Sequence, residues 1–494
     1  MSEQNRKWWT LGAVSFGLFM IMLDNTIVTV ALPTIKRDLG LNLSQLEWIV
    51  TAYALTFAVF MLTGGKLADL LGRRLMFNVG LAIFTAASLV CGLATSSGML
   101  IGARAVQGVG AAIMNPATLS IVTTTFPARQ RGMAIGIWAG VSSMALAIGP
   151  LFGGLLTQQL SWHWIFFVNV PIGVLAILFS RLVIKESRDT SHEQRLDLPG
   201  LVSSGIALFA LTYALIEANS YGWGSKRIVG LFVVAAIGLV VFVLLERHQR
   251  LPMLDLSLFR SSTFAGAMLV VLFVGLAMFG VFVFVSLFVQ RKGLYGYSPT
   301  EAGAAFLPMT FLVTLIAPLA GRLSDRIGSR WLMSSGMALV AVGLYLFSRL
   351  GIGSTYADML FAMVIAAFGM SMAMTPTVAA AMSAVDVDKA GVSSAVLNSF
   401  RQVGGSIGIA LLGAILAHSA GSWASQPGHQ ILAVRELAHA GLSRQNAVKT
   451  AAFAHGYSSA LLFSALVALS AAVVAFVMIR PHHFEHSAKP SGPA

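Results

Sequence analysis

The chain has 494 residues, of which 57% are hydrophobic and 10% are charged, and its mean hydropathy is +0.81. A soluble protein carries about 25% charged residues, so this composition excludes a soluble globule. The continuous apolar runs also exclude a transmembrane β-barrel, whose strands alternate polar and apolar residues. We read the formal charge of +13 as a topology signal, not as affinity for nucleic acid, because basic residues of polytopic membrane proteins concentrate in cytoplasmic loops.

Fourteen apolar stretches predict fourteen transmembrane helices, since a helix needs about 20 residues to cross a bilayer. In chain order they are 11–33, 48–68, 75–95, 99–121, 132–156, 164–184, 199–218, 228–247, 263–288, 301–320, 331–350, 355–377, 393–416 and 457–479. An even number places both termini on one side. Cytoplasmic termini leave 20 basic residues inside and 10 outside, as the positive-inside rule expects. We therefore predict a multi-pass protein of the cytoplasmic membrane with both termini in the cytoplasm.

One ten-residue segment occurs twice and suggests two related halves. Gly65–Arg74 follows the second stretch, and Gly321–Arg330 follows the tenth, 256 residues later, with five of ten positions identical. We therefore predict an all-α 6+2+6 arrangement: a bundle at 1–190, two inserted helices at 191–260 and a second bundle at 261–494. Repeated halves are typical of secondary transporters, whose substrate site lies near the membrane midplane where the halves meet.

The remaining segments carry little chemistry. We expect a long external loop at about 418–456, with helical apolar spacing at 430–441, and a disordered tail after Arg480. The single cysteine, Cys91, lies in an apolar stretch, so neither a disulfide nor a cysteine-based metal site is expected. No Walker loop, HExxH motif, Ser-His-Asp set or paired carboxylates occur in the stretches, so we predict neither ATP-driven transport nor an enzyme, and no metal site.

Asp24 is the only carboxylate well inside any of the fourteen stretches. An ionised carboxylate at the centre of a membrane helix costs at least ~2.5 kcal/mol, so such a residue is usually buried, paired or protonated, and functional. A reversible proton carrier and a structural hydrogen bond to a neighbouring helix are the two interpretations. At a rise of ~1.5 Å per residue, the predicted depths of Asp24 and Arg104 in the membrane differ by roughly 6 Å. Gln107 lies on the same helix face as Arg104. The two charges could form a coupling pair or a fixed structural ion pair.

The repeated loops combine glycines, acids and bases at the predicted cytoplasmic face, and we predict that they act as conformational latches. A plain positive-inside turn is the alternative. The latch residues are Gly65, Asp69, Gly72, Arg73, Arg74, Asp325 and Arg326. The fifth stretch contains small residues and a proline that permit a bend and close helix packing. These are Gly149, Pro150, Gly153 and Gly154.

Aromatic, amide and basic side chains supply candidates for binding a small molecule, although such residues at helical spacing usually form core. The candidates are Asn25, Trp48, Tyr53, Phe57, Gln107, Trp138, Phe279, Phe282, Asn398 and Arg401. Arg401 could compete with an organic cation, attract an anion or pair with a backbone carbonyl, and the sequence leaves all three open.

Several of these segments together resemble the 14-helix drug:proton antiporters of the major facilitator superfamily. They are Leu23–Pro33, Gly65–Arg74, Arg104–Ala112, Gly149–Gly154 and Trp164–Gly173, and the similarity spans essentially the whole chain. The resemblance implies export of lipophilic, often cationic compounds by alternating access, driven by the proton motive force without a cofactor. It also implies that Asp24 and Arg104 are the coupling residues. The glycine-proline motif of the fifth stretch, Gly149–Gly154, called the helix-5 motif below, is associated in this family with antiport.

Two departures narrow these expectations. Ala145 stands where the family usually has glycine, and helices 9 to 14 lack the mid-membrane carboxylate that exporters of divalent cations carry. We therefore expect monovalent cationic or neutral substrates. Expected partners are lipophilic small molecules, protons and membrane lipids, with no nucleic acid, and the chain is expected to work as a monomer. The alternatives are a dedicated exporter of an endogenous metabolite or lipid, and a non-transporting sensor, against which the intact Asp24, Arg104 and loops argue.

Overall fold

The computed structural model describes residues 3–188, 197–249, 256–384 and 390–480. Within these ranges the regular elements are helices, with no strand. The α-helices are α1 (Glu3–Asp38), α2 (Leu43–Leu71), α3 (Arg73–Gly92), α4 (Ser97–Thr125), α5 (Ala128–Gln159), α6 (Trp164–Phe167), α7 (Asn169–Val183), α8 (Leu198–Tyr221), α9 (Lys226–His248), α10 (Ser262–Val289), α11 (Pro299–Ala305), α12 (Leu307–Ile327), α13 (Ser329–Ser348), α14 (Tyr356–Ser383), α15 (Ala390–Ala424), α16 (Pro427–Glu436) and α17 (Arg444–Met478). Short 3₁₀ turns occupy Leu256–Arg260 and Ala438–Ala440.

The prediction of an all-α polytopic membrane protein is confirmed. In the described chain, thirteen helical segments are long and apolar enough to cross a membrane. The remaining predicted stretch, 132–156, lies within α5, a helix of 32 residues. Every predicted stretch therefore coincides with a helix or with a pair of consecutive helices.

Two of the predicted stretches consist of two helices each. The breaks fall at Val168, between α6 and α7, and at Phe306, between α11 and α12. Pro171 and Pro308 follow closely, and a proline has no N–H to donate to the carbonyl four residues earlier. Both junction residues keep right-handed helical dihedral angles, so the chain continues in nearly the same direction.

The repeated segment forms the same turn in both copies. α2 ends at Leu71 and α3 covers 73–92, whereas α12 ends at Ile327 and α13 covers 329–348, the same bounds 256 residues later. Gly72 has φ +120° and Gly328 has φ +88°, a backbone region that glycine adopts at little cost. The sequence repeat is therefore also a repeat of local structure.

The helices form two sets. In the first, α1 packs against α4, α5 and α7, and α4 packs against α2 and α3. In the second, α10 packs against α15 and α17, and α14 packs against α12 and α13. Between them, α8 and α9 pack on each other, and α8 also contacts α2 and α15. The domain boundaries at 190 and 260 stay a prediction, since residues 189–196 and 250–255 lie outside the described ranges.

The two sets meet at the end of the bundle distant from the amino terminus. Ser286 Oγ of α10 donates a hydrogen bond to the carbonyl oxygen of Thr29 in α1 at 2.9 Å. Gln290 Nε2 donates to the carbonyl oxygen of Val30, also at 2.9 Å. These bonds to backbone carbonyls, just before Pro33, hold that end closed.

The segment predicted as a long loop, 418–456, is largely helical in the structure. α15 continues to Ala424, α16 covers Pro427–Glu436 and α17 begins at Arg444. The prediction followed continuous apolar stretches, whereas α15 and α17 continue through polar residues. The predicted disordered tail lies outside the described residues.

Candidate functional site

A buried network of polar side chains connects α1, α3 and α4. Asp24 is 0% exposed and Arg104 is 1% exposed, and Arg104 Nη1 donates to Asp24 Oδ2 at 2.5 Å. Gln107 closes the ring: its Oε1 accepts from Arg104 Nη1 at 2.6 Å, and its Nε2 donates to Asp24 Oδ1 at 3.0 Å. Gln107 also donates to Ser88 Oγ at 2.7 Å and lies 3.8 Å from Cys91 Sγ. The contact between α1 and α4 is thus present, and its role in proton coupling stays a prediction.

Helix α2 completes the surroundings of Arg104. Arg104 Nε donates to the carbonyl oxygen of Ile49 at 3.1 Å, and the guanidinium carbon lies 4.3 Å from the centre of the Tyr53 ring. A buried charge requires compensation by an opposite charge and hydrogen bonds. Here one carboxylate, one amide, one carbonyl and two aromatic rings, Tyr53 and the more distant Phe166 at 5.9 Å, compensate a single guanidinium.

A cavity lies between the two sets of helices, and its empty space, including the open solvent at its mouth, is about 1490 Å³. Its walls come from α1, α2, α4 and α5 on one side and from α10, α12, α14 and α15 on the other. Arg104 is part of the wall, so the buried network borders the cavity. Of the predicted binding residues, Asn25, Tyr53, Phe282 and Arg401 line it.

Three predicted aromatic candidates lie elsewhere. Trp48 faces α8, where its ring centre is 6.1 Å from that of Phe209. Phe57 is 1% exposed and belongs to the core of the first helix set. Trp138 Nε1 donates to Thr118 Oγ1 at 3.1 Å, within that same set. These helices are apolar on every side, so the sequence does not reveal which face points toward the cavity.

Two other candidates do not line the cavity, but each accepts a hydrogen bond from an arginine that does. Gln107 is held in the buried network, and Asn398 Oδ1 accepts a hydrogen bond from Arg401 Nη2 at 2.7 Å. The side chain of Phe279 lies outside the described residues. Gln402, which was not predicted to bind a small molecule, lines the cavity beside Arg401.

Two glycines of the helix-5 motif let α5 approach α1 closely. A Cβ atom on Gly149 would overlap the Thr26 hydroxyl, and one on Gly153 would overlap the carbonyl oxygen of Ile27. Thr26 and Ile27 lie two and three residues after Asp24 in α1. The motif therefore fixes the position of the helix segment that carries the buried carboxylate.

The rest of the motif contacts the opposite set of helices. A Cβ atom on Gly154 would overlap the carbonyl oxygen of Pro299 at the start of α11, and one on Gly303 would overlap the carbonyl oxygen of Pro150. Backbone thus meets backbone across the closed end. Such an approach is possible only where side chains are absent.

The first repeated loop is tied to the segment that follows α7. The Glu186 carboxylate accepts hydrogen bonds from the N–H groups of Arg74 and Leu75, both at 3.0 Å. The N–H of Arg73 donates to the carbonyl oxygen of Ser187 at 3.0 Å. A carboxylate at a helix amino terminus satisfies donors that have no intrahelical partner. Glu186 was not predicted from the sequence, because it is distant along the chain from the loop that it holds.

The latch hypothesis itself stays a prediction. The Gly65 backbone lies beside Pro116 of α4, and Gly72 forms the turn described above. The side chains of Asp69, Asp325 and Arg326 lie outside the described residues.

A second buried carboxylate escaped the sequence analysis. Glu47 in α2 is 2% exposed, and its carboxylate lies directly against Gly413 of α15. The predicted stretch began at residue 48, because the search excluded charged residues. Asn42 and Gln45 form a capping box, a recognisable helix-start signal, and it would have placed Glu47 inside the helix.

Comparisons with known proteins agree with this architecture. A family model described as Major Facilitator Superfamily matches residues 14–409. The multidrug resistance protein Stp of Mycobacterium tuberculosis (strain ATCC 25618 / H37Rv) is 38% identical over 411 residues, 83% of this chain and 75% of that protein. The puromycin resistance protein pur8 of Streptomyces alboniger is 37% identical over 479 residues, 96% of this chain and 92% of that protein.

A solved structure shares the fold at low sequence identity. It is a bacterial homolog to the human lysosomal transporter Spinster, in an inward-facing and unoccupied conformation. The match covers 96% of this chain and 97% of that one, with a TM-score of 0.66 and 20% identity. This likeness concerns the fold alone.

Proposed function

The chain belongs to the major facilitator superfamily of transporters, and from this we propose that it is a proton-coupled antiporter that exports lipophilic drugs across the cytoplasmic membrane. The buried Asp24–Arg104 pair, whose arginine forms part of the cavity wall, is the observation that carries the proposal. Drug export is supported by the similarity to proteins named for multidrug and puromycin resistance. The sequence favours monovalent cationic or neutral substrates. Export of an endogenous metabolite or lipid by the same fold is the second candidate.

Asp24 is the proposed proton carrier. Protonation removes its charge, so Arg104 loses its ionic partner and keeps only neutral hydrogen-bond acceptors. Because an uncompensated buried charge is costly, the protonated and ionised forms of Asp24 favour different arrangements of α1 and α4. Asp24 then takes up a proton from outside and releases it inside as the cavity switches between outward and inward access.

We also propose the orientation and the division of the chain. With both termini in the cytoplasm, the closed end at Thr29 and Ser286 faces outward, which corresponds to an inward-facing state. The two bundles at 1–190 and 261–494 move relative to each other, and the repeated loops act as latches on the cytoplasmic side. A single chain contains the whole cavity, which supports a functional monomer.

Efflux from energised cells tests the coupling. Ethidium efflux is compared for the wild type, Asp24→Asn and the wild type with a protonophore. Asp38→Asn is the matched control, because this acid lies on the same helix and is 47% exposed. We expect Asp24→Asn and the protonophore to abolish efflux, and Asp38→Asn to retain it at equal expression.

Two results would change the proposal. Normal efflux by Asp24→Asn would make Asp24 a structural residue. If the wild type moves neither ethidium nor any member of a panel of lipophilic drugs, dedicated export of an endogenous compound becomes the leading function.

A further inference from the structure

The charges that line the cavity are all positive in the described part of the chain. Arg104 and Arg401 are the only ionisable side chains with formal charge at neutral pH among the lining residues. Asp24 does not line the cavity, although it neutralises Arg104 from behind. Arg401 therefore determines the electrostatic preference of the cavity.

Arg401 has a much poorer set of partners than Arg104. Its Nη2 donates to Asn398 Oδ1 at 2.7 Å, and its buried Nε has no hydrogen-bond partner in the described chain. None of the ion pairs between described residues includes it. The neighbouring Gln402 Oε1 is also buried without a partner. A guanidinium offers five N–H donors in a planar fork suited to a carboxylate.

The apolar side chains that line the cavity raise the energetic cost of leaving the Arg401 charge without a partner. Five methionines line the cavity, Met22, Met278, Met309, Met370 and Met374, together with Phe282 and Phe306. Flexible thioethers and aromatic rings accommodate varied apolar shapes. In such low-polarity surroundings an unpaired charge is costly, and its pairing with an anion is correspondingly favourable.

We propose that Arg401 is the anchor for an anionic oxygen of the substrate, so that the cavity selects lipophilic compounds with a carboxylate over their cationic counterparts. That the bound compounds are also exported rests on the proposed function. The preferred substrates carry a carboxylate, in contrast to the cationic substrates expected from the sequence. The carboxylate pairs with the Arg401 fork, and the apolar body occupies the methionine-lined space. Gly275 of α10, which packs against the backbone of Arg401, fixes the position from which the side chain extends.

Direct binding to purified protein in detergent tests the proposal. Rhodamine 110 carries a free carboxylate, and rhodamine 123 is its methyl ester, so the two fluorescent probes differ only at that group. Fluorescence anisotropy gives both affinities. We expect the wild type to bind rhodamine 110 more tightly, by about tenfold or more, since hydrogen bonds to charged groups contribute about 1.5–3 kcal/mol.

Variants assign the preference to one residue. Arg401→Gln should remove the preference by weakening rhodamine 110 binding, with rhodamine 123 binding retained, which also shows that the variant is folded. Arg401→Lys should restore part of it, and the exposed Arg444→Gln should behave as the wild type. Equal binding of both probes by the wild type, an absence of rhodamine 110 binding, or an unchanged preference in Arg401→Gln overturns the proposal.

The result is separate from the test of export. Carboxylate binding through Arg401 without any efflux would refute the proposed function and leave this inference standing. Proton-coupled efflux of a cation, with no effect of Arg401→Gln on probe binding, would refute this inference and leave the proposed function standing.

Discussion

Asp24 and Arg104 place two opposite charges where solvent scarcely reaches them. Further hydrogen bonds help to compensate for the lost hydration: the Ile49 carbonyl and Gln107 Oε1 accept from Arg104, and Gln107 Nε2 donates to Asp24. Breaking a buried pair by removing one partner is usually far more damaging than replacing both. This asymmetry distinguishes a charge pair from two independent polar residues.

A double-mutant comparison should reveal the asymmetry. We expect Arg104→Gln to lower the stability of the folded protein by about 3–5 kcal/mol, because it leaves Asp24 without an ionic partner. The double variant Asp24→Asn/Arg104→Gln should lose clearly less. Thermal denaturation of the purified Asp24→Asn, Arg104→Gln and double variants measures the three losses of stability. A double variant whose loss equals the sum of the two single losses would contradict the pairing.

Particular residues show what a sequence can tell about this site. The depth of Asp24 and Arg104 along their helices was sufficient to predict their contact, because helical rise is constant. The placement of Trp48 and Phe57 was not predictable, because lipid and protein interior are equally apolar and no polar face marks the direction of the cavity. Glu47 was hidden by the rule that a membrane stretch excludes charges.

At the level of helices, α5 has two functions that its glycines make possible. Gly149 and Gly153 hold α1 close, whereas Gly154 allows backbone contact with α11 of the other set. The same helix therefore positions the charged network and forms part of the closed end. This arrangement gives a physical basis for an effect of the glycine-proline element on the proposed alternation between two access states.

A bulky residue at position 154 should prevent closure. We expect Gly154→Leu to abolish transport and to expose Ser286, which is fully buried in the closed end. Labelling of Ser286→Cys by a membrane-impermeant maleimide, in a Cys91→Ser background, measures this exposure. Gly140→Leu, on the same helix, is the control, since no neighbouring atom lies within 4 Å of the position that a Cβ atom would occupy there. Unchanged labelling in Gly154→Leu would refute the role of this contact.

For the whole molecule, the sequence predicted the number of spans and the repeat, because both depend on apolar length and on turn residues. It did not predict the breaks at Val168 and Phe306, since a proline near the start of a helix is also common in unbroken helices. Nor did it predict the helical extensions of α15 and α17, because the prediction followed continuous apolar stretches and these extensions contain polar residues.

The proposed orientation of the whole bundle in the membrane can be tested by labelling. Arg37, at the carboxyl end of α1, has a side chain that is 77% exposed, and Arg188, beyond α7, is also exposed. In intact cells, an impermeant maleimide should label Arg37→Cys but not Arg188→Cys, which should react only after permeabilisation. The reverse pattern would place the termini outside and the closed end in the cytoplasm.

The chain also contains a natural reporter of its charged network. Cys91 is the single cysteine, it is buried, and its sulfur lies 3.8 Å from the Gln107 oxygen that also binds Arg104. The S–H stretching vibration absorbs in an infrared region that is free of other protein bands, and its frequency depends on hydrogen bonding of the thiol. The unmodified protein therefore offers one spectral line through which rearrangement around Asp24 can be followed during turnover.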